Sequence, residues 1–172
     1  MKIKNIVFIL LGYLSLNTLF ANNALEYSPI RYNVEMMDIS EKEMECLAKN
    51  IYFESKNQND YGKFAVANVT LNRVRNPAFP DTICRVVFQA SRIPQKRHLC
   101  QFSWWCDGKP DRIRDLKAWD RCRDIAILAI LHKDKDITLG ATHYHADYVR
   151  PWWAKRLLRT VKIGSHIFYK ET

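Results

Sequence analysis

Apolar and polar positions recur with the period of a helix in the residues that follow Ser40. The apolar positions on one face are Met44, Leu47, Ala48, Ile51 and Tyr52. Ser40 followed three residues later by Glu43 has the form of a capping box, which marks the start of a helix. The pattern therefore predicts a first helix from about Ser40 to Lys56.

Three further segments have helical character. The stretch "YGKFAVANVTLNRV" leaves little polar surface, so we expect a central, buried helix that Asp60 caps and that Pro77 ends. Asp81 is a candidate cap for a short helix in "TICRVVFQ". A last helix, from about Leu116 to His132, carries its apolar residues on one face.

The second half of the chain contains a smaller extended region. Residues 91–110 are rich in Pro, Gly, Cys, aromatic and basic residues, which is typical of a long loop or hairpin. "TLGATHYHA" and the basic aromatic "RPWWAKRLL" follow, and then the strand-like "TVKIGSHIFYK", in which Gly164 can form a turn. The order of elements predicts an α+β fold in which helices dominate.

The N-terminus is typical of a targeting segment. Two lysines precede an apolar run at residues 6–16, and small residues follow it. Because the run is short for a membrane span of about 20 residues, we expect a signal peptide at 1–21. A lead-in segment at 22–39 and one domain at 40–172 would complete the chain. The mature protein would act in the periplasm, the cell wall or the extracellular space, without stable membrane insertion.

The formal charge of +9 suits an anionic partner. Candidates are peptidoglycan with its peptide carboxylates, a membrane surface or nucleic acid. Export argues against nucleic acid. The basic aromatic run around Trp152 and Trp153 could contact a membrane interface or nucleic acid, but a solvated helix face with buried tryptophans is the simpler interpretation.

All five cysteines lie in the part of the chain that export would place outside the cytoplasm, where disulfides persist. Five is an odd number, so at least one thiol is left over or pairs between chains. Cys100 can reach either Cys106 or Cys84 on paper, and the connectivity stays open. The absence of a CxxC pair weakens a structural zinc site.

Glu54 occupies an apolar register of the first predicted helix. It lies seven residues after Leu47, which places the two side chains within about 20° of one another. The carboxylate should therefore point toward the interior or a cleft. The helix dipole disfavours negative charge in the last turn, and burial acts in the same direction, so we expect a raised pKa for Glu54.

Two other motifs carry candidate chemistry. The loop "CQFSWWCDG" combines Gln101 and Ser103 with aromatic rings such as Trp104, a composition that suits a glycan groove and equally a core. In "THYHA", His143 and His145 would share one face of a strand. With a third ligand they could hold zinc in an amidase, but no HExxH accompanies them, which favours a hydrogen-bonded or substrate-contacting pair.

The segments "CLAKNIYFESKNQNDYGKFAVANVTLNRV", "FPDTICRVVFQ", "CQFSWWCDG", "GATHYHADYVRPWWA" and "IGSHIFY", taken together, resemble the SleB-like cell-wall hydrolases, the spore-cortex-lytic enzyme family. The resemblance runs from about Glu45 to Tyr169. It implies a compact, lysozyme-like α+β fold, peptidoglycan glycan strands as substrate, and no metal or other cofactor. The family's catalytic glutamate matches Glu54.

The resemblance also implies a mechanism. Cleavage of a glycosidic bond needs a carboxylic acid that stays protonated near neutral pH, and the lytic transglycosylase route would use Glu54 first as acid and then as base. Residues in matching blocks would bind substrate: Gln101, Ser103, Trp104, His143, Tyr144 and His145. Members from spores often carry a separate peptidoglycan-binding domain, for which this chain has no room, so we expect general wall remodelling.

Three alternatives remain at this level. A hydrolysing muramidase would use a second carboxylate, as most glycosidases do. The candidates by position are Asp60, Asp81, Asp107 and Asp147. A non-catalytic peptidoglycan-binding module and a zinc amidase that uses the HxH pair are the other two.

Overall fold

A computed structural model describes residues 39–90 and 100–172 of the chain. The predicted signal peptide at 1–21 lies outside the described residues, as does all of the lead-in segment except its last residue. Within the described ranges, every helix is too short or too polar to cross a membrane.

Within residues 39–90 and 100–172, four α-helices form the larger part of the fold, each at a position that the sequence predicts. They are α1 (Glu41–Ser55), α2 (Asp60–Arg75), α3 (Ile83–Val87) and α4 (Leu116–Leu131). Short 3₁₀ turns lie at Ser103–Cys106 and Trp152–Arg156. The second of these corrects one expectation, because Trp152 is 71% exposed instead of buried.

Two predicted helix caps are wrong by one residue. Asn59, not Asp60, caps α2 by accepting from the backbone, which frees Asp60 to pair with Arg121 at 2.5 Å. Thr82, not Asp81, caps α3. In each case the aspartate pairs with an arginine instead.

The start of α1 is tied to α3. Ser40 caps α1 as predicted, but the Glu43 carboxylate accepts a 2.9 Å bond from the Cys84 backbone N–H, so the predicted capping box is only half formed. Cys46 and Cys84 form a disulfide beside it. Cys100 pairs with Cys106, and Cys122 is a free, buried thiol.

Helix α2 is buried on nearly every side, as its composition predicts. Its apolar residues pack against α1, α3 and α4 on one side and against the sheet on the other. Asn50 is a buried polar residue in this core; it donates to Thr70 Oγ1 at 3.1 Å and accepts from the Trp104 indole at 3.1 Å. The core therefore holds the end of α1 in a fixed position.

A three-stranded antiparallel sheet covers α2. Its strands are β1 (His143–Ala146), β2 (Leu158–Ile163) and β3 (His166–Lys170), in the order β1-β3-β2. Phe168 faces the helices and packs on Ala65 and Val69. The predicted turn at Gly164 is confirmed, with a φ of +57° that a two-residue hairpin requires. The α+β fold with dominant helices is confirmed.

The hairpin tip is attached to the loop between α1 and α2. The Gln58 amide donates to Ser165 Oγ at 2.7 Å and accepts from the Ser165 backbone N–H at 3.3 Å. This pair of bonds fixes the sheet relative to the end of α1, where Glu54 lies.

Candidate active site

Glu54 lies in the last turn of α1, partly buried between the helices and the sheet. The Tyr144 hydroxyl donates a 2.8 Å hydrogen bond to Glu54 Oε2. Tyr144 comes from β1, and its side chain stands on the sheet face that packs on the helices, beside Phe168. The helix period directs Glu54, and the strand alternation directs Tyr144, toward the space between the helices and the sheet.

The pKa of Glu54 is raised above its ordinary value, in the direction that the sequence predicts. Burial is the largest cause, while the hydrogen bond from Tyr144 and the charge of Arg73 oppose it. The pKa of Tyr144 is raised far above its usual range, chiefly by burial and then by the Glu54 charge. Tyr144 is therefore a neutral phenol, and its hydroxyl group acts as a hydrogen-bond donor to the carboxyl group of Glu54.

Arg73, which sequence reasoning missed, is the cation of this site. Its side chain is buried, its Nε donates to the Thr142 carbonyl at 2.8 Å, and its guanidinium lies 4.8 Å from the Phe102 ring centre. Burial lowers its pKa to about 10, which leaves it protonated at neutral pH. Among the described residues, Nη1 has no hydrogen-bond partner.

A signal for Arg73 was present in the sequence. It lies seven residues after Val66 and four after Val69, in the apolar register of α2. The same argument that singled out Glu54 on α1 applies to it.

The two histidines of the HxH motif share one sheet face, as predicted, and both contact the Trp153 ring. His145 is buried; its Nδ1 donates to the Ala146 carbonyl at 2.8 Å, so Nε2 accepts from the Tyr169 hydroxyl at 3.0 Å. His143 is half-buried, and burial lowers its pKa. In the described part of the chain, no three His, Cys, Asp or Glu side chains are grouped so as to hold a metal ion.

The "CQFSWWCDG" loop contributes one candidate residue to the core and two to the surface. Trp104 is buried, stacks on Phe53 at 4.6 Å between ring centres and bonds to Asn50, so it supports the end of α1 from inside the core. Gln101 and Ser103 are exposed on the loop surface. None of the three has a described contact with Glu54.

The four candidate second carboxylates each have a cation as partner away from Glu54. The pairs are Asp60–Arg121 (2.5 Å), Asp81–Arg85 (2.6 Å), Asp107–Lys109 (3.5 Å) and Asp147–Lys162 (2.7 Å). Hydrogen bonds from Arg121 and Lys162 lower the pKa of Asp60 and of Asp147. Of the described carboxyl groups, only that of Glu54 accepts from Tyr144.

A model of the family described as Cell Wall Hydrolase matches residues 57–169. The matched range begins three residues after Glu54. It includes α2 with Arg73, β1, β2 and β3 up to Tyr169, and hence both groups that lower the pKa of the Glu54 carboxyl.

Two curated proteins are similar to the chain, both spore cortex-lytic enzymes. That of Halalkalibacterium halodurans is 29% identical over 130 residues, which is 75% of this chain and 35% of the relative. That of Oceanobacillus iheyensis is 28% identical over 132 residues, 76% of this chain and 42% of the relative. The chain thus spans well under half the length of these relatives.

Two solved structures share the fold. The catalytic domain of the germination-specific lytic transglycosylase SleB from Bacillus anthracis superposes with a TM-score of 0.60 at 28% identity, over 77% of this chain and 98% of that one. The catalytic domain of the Bacillus cereus SleB protein gives a TM-score of 0.59 at 28% identity, over 76% and 91%.

Proposed function

The chain belongs to the cell wall hydrolase family, and on that premise we propose that it cleaves the MurNAc-GlcNAc bond of peptidoglycan as a lytic transglycosylase. The observation that carries the proposal is the partly buried Glu54 carboxyl, whose pKa is raised and whose Oε2 accepts from Tyr144. The similarity to a catalytic domain that is described as a lytic transglycosylase supports the same reaction.

In the first step, Glu54 acts as the acid. The Tyr144 bond occupies Oε2, so in this proposal the acidic proton resides on Oε1 and that oxygen faces the substrate. That proton passes to the oxygen between the two sugars as the glycosidic bond breaks, and the N-acetylglucosamine side leaves with a free hydroxyl. The muramic C1 becomes oxocarbenium-like, and the N-acetyl group of the substrate can stabilise it.

In the second step, the same carboxylate acts as the base. It removes the proton of the muramic C6 hydroxyl as that oxygen attacks C1, which closes a 1,6-anhydro ring and returns the proton to Glu54. Arg73 and Tyr144 both favour the ionised carboxyl between the two steps, because each lowers the pKa that burial raises. One carboxyl group is thus sufficient, and no water molecule is consumed.

The substrate groove would lie along the open edge of β1 beside Glu54. Gln101, Ser103, His143 and Tyr144 would contribute contacts to the glycan. We assign Trp104 a supporting role, because its indole is turned into the core toward Asn50. His145 would act through Tyr169 and Trp153, which it contacts on the outer sheet face.

We also propose that residues 1–21 direct export, so that the protein meets peptidoglycan in the periplasm, the cell wall or the extracellular space. The Cys46–Cys84 and Cys100–Cys106 pairs agree with an oxidising compartment. Cell fractionation of the full chain, compared with a chain that begins after residue 21, tests this part of the proposal.

Mass spectrometry of the muropeptides released from purified peptidoglycan tests the reaction, with Glu54→Gln run in parallel. Anhydromuramic products that are absent with the variant would support a transglycosylase that uses Glu54. Reducing muramic ends would indicate a hydrolysing muramidase. Released peptides whose formation a chelator abolishes would indicate an amidase, and binding without release would indicate a non-catalytic module.

A further inference from the structure

A cavity of about 680 Å³ lies on the outer face of the sheet, the face turned away from the helices. His145 and Tyr169 form part of its wall, and both alternate along their strands with the inward-facing Tyr144 and Phe168. We call it the outer cavity. Its volume lies within the range of small-ligand sites, and the sheet separates it from Glu54.

Among the residues that the structure describes, three cations line the outer cavity: Arg150, Lys155 and Arg159. Within the described ranges, none of them pairs with a carboxylate, whereas Arg85, Lys109, Arg121 and Lys162 do. Arg150 donates to the carbonyls of Asp147 and Val149, which fixes its position, and its charge contributes to lowering the pKa of the Asp147 carboxyl. Unpaired cations around one concave surface attract an anionic ligand.

Aromatic groups complete the cavity. Trp152 lines it and is 71% exposed, and the Arg156 guanidinium lies 4.9 Å from the centre of its ring. The hydrogen bond between His145 and Tyr169 holds the wall behind it. The cavity therefore offers an apolar surface next to charged groups, which suits a ligand with aliphatic side chains and carboxylates.

We propose that the outer cavity binds the carboxylates of the peptide stems of peptidoglycan. This inference rests on the proposed function and names a second contact to the same substrate. An extended peptide stem of four residues is about 14 Å long, whereas a sheet with its side chains is roughly 10 Å thick. The stem is therefore long enough to reach from one face of the sheet to the other. β1 is an edge strand, so a stem can pass from the Glu54 side to the outer face.

Binding of the isolated stem tetrapeptide to the full protein tests the inference without any cleavage. Calorimetry would compare that peptide with the same peptide after its carboxylates are converted to amides. We expect the carboxylate form to bind about tenfold more tightly at low salt, with the difference reduced at high salt.

Two paired variants give the matched comparison. Lys155→Gln with Arg159→Gln should raise the Kd of the tetrapeptide about tenfold, because each removed charge contributes up to about a factor of five. Lys42→Gln with Lys117→Gln removes the same charge from exposed helix positions and should leave the Kd unchanged. Arg150 is kept in both variants because its backbone bonds hold the turn after β1.

Equal affinity for the two peptides, or an unchanged Kd in the Lys155 and Arg159 variant, would overturn the inference. The protein could instead bind vesicles of anionic phospholipid and not the peptide. If the Lys155 and Arg159 variant lost this vesicle binding, the result would overturn the inference in favour of a lipid surface. A protein that binds the tetrapeptide but releases no muropeptide contradicts the proposed function alone. One that cuts peptidoglycan without binding the tetrapeptide contradicts this inference alone.

Discussion

The hydroxyl of Tyr144 donates to Glu54 Oε2 at 2.8 Å and so connects β1 to the last turn of α1, 90 residues earlier in the chain. Burial raises the pKa of the Glu54 carboxyl, and Tyr144 and Arg73 limit that rise. An acid that must also act as a base needs such a balance, because its protonated and ionised forms both have to be accessible at the working pH.

Replacement of Tyr144 by Phe should disturb this balance. Because the hydrogen bond lowers the pKa of Glu54, its loss should move the alkaline limb of the kcat/KM profile to higher pH. We also expect kcat at the optimum to fall on the order of tenfold, since the carboxyl loses the bond that orients it. The measurement is the pH dependence of muropeptide release. Tyr148→Phe, at a tyrosine that is 82% exposed, is the matched control and should leave the profile unchanged.

The charge of Arg73 can be tested separately from its shape. Arg73→Gln removes the positive charge beside Glu54, so the alkaline limb should move to higher pH by on the order of one pH unit. Arg73→Lys keeps the charge but loses the planar contact with Phe102, so it should lower stability and leave the limb in place. Identical profiles for the two variants would argue against an electrostatic role for Arg73.

The raised pKa of Glu54 also predicts how stability depends on pH. A group whose pKa is higher in the folded state favours folding at low pH, and this contribution is lost as pH rises through the folded pKa. Above that pH, the wild type has to bury an ionised carboxylate, which Glu54→Gln avoids. The variant should therefore be more stable than the wild type at pH values above the folded pKa, by about 1.4 kcal/mol for each pH unit between the folded and unfolded pKa values.

Thermal unfolding of both proteins over a series of pH values measures this difference. The two unfolding temperatures should converge as the pH falls below the ordinary glutamate value of 4.5. If the Glu54→Gln protein is less stable than the wild type by the same amount at every pH, Glu54 has a structural role that its charge does not explain.

Local periodicity predicted the directions of the key side chains. Glu54 shares the buried register of Leu47, and Tyr144 faces away from its two histidine neighbours, because each depends only on the geometry of its own element. The contact between Glu54 and Tyr144 could not be predicted in this way. It depends on how the sheet docks on the helices, which Gln58 and Ser165 fix across 107 residues of sequence.

Composition was a weaker guide than periodicity. The composition of the "CQFSWWCDG" loop suited a glycan groove and a core equally; in the structure Trp104 is buried, with its indole bonded to Asn50 inside the core. Conversely, Trp152 was expected to be buried and is exposed. The choice of Asn59 over Asp60 as the cap of α2 depends on Arg121, which lies 61 residues beyond Asp60. Such partners belong to the tertiary structure and leave no local pattern.

The attachment of the hairpin to the helices leads to a last prediction, at Gly164. A Cβ there would lie 2.5 Å from Gln58 Oε1, so the clash displaces the amide group that makes both bonds to Ser165. Gly164→Ala should therefore lower stability by about 1 kcal/mol more than Gly108→Ala, a control that shares the positive φ but has no atom within 4 Å of the new Cβ. Because the hairpin also positions β1, Gly164→Ala should slow muropeptide release, whereas Gly108→Ala should not. Chemical denaturation and product analysis of the two variants measure both effects, and equal losses in both would contradict a role for the Gln58 contact.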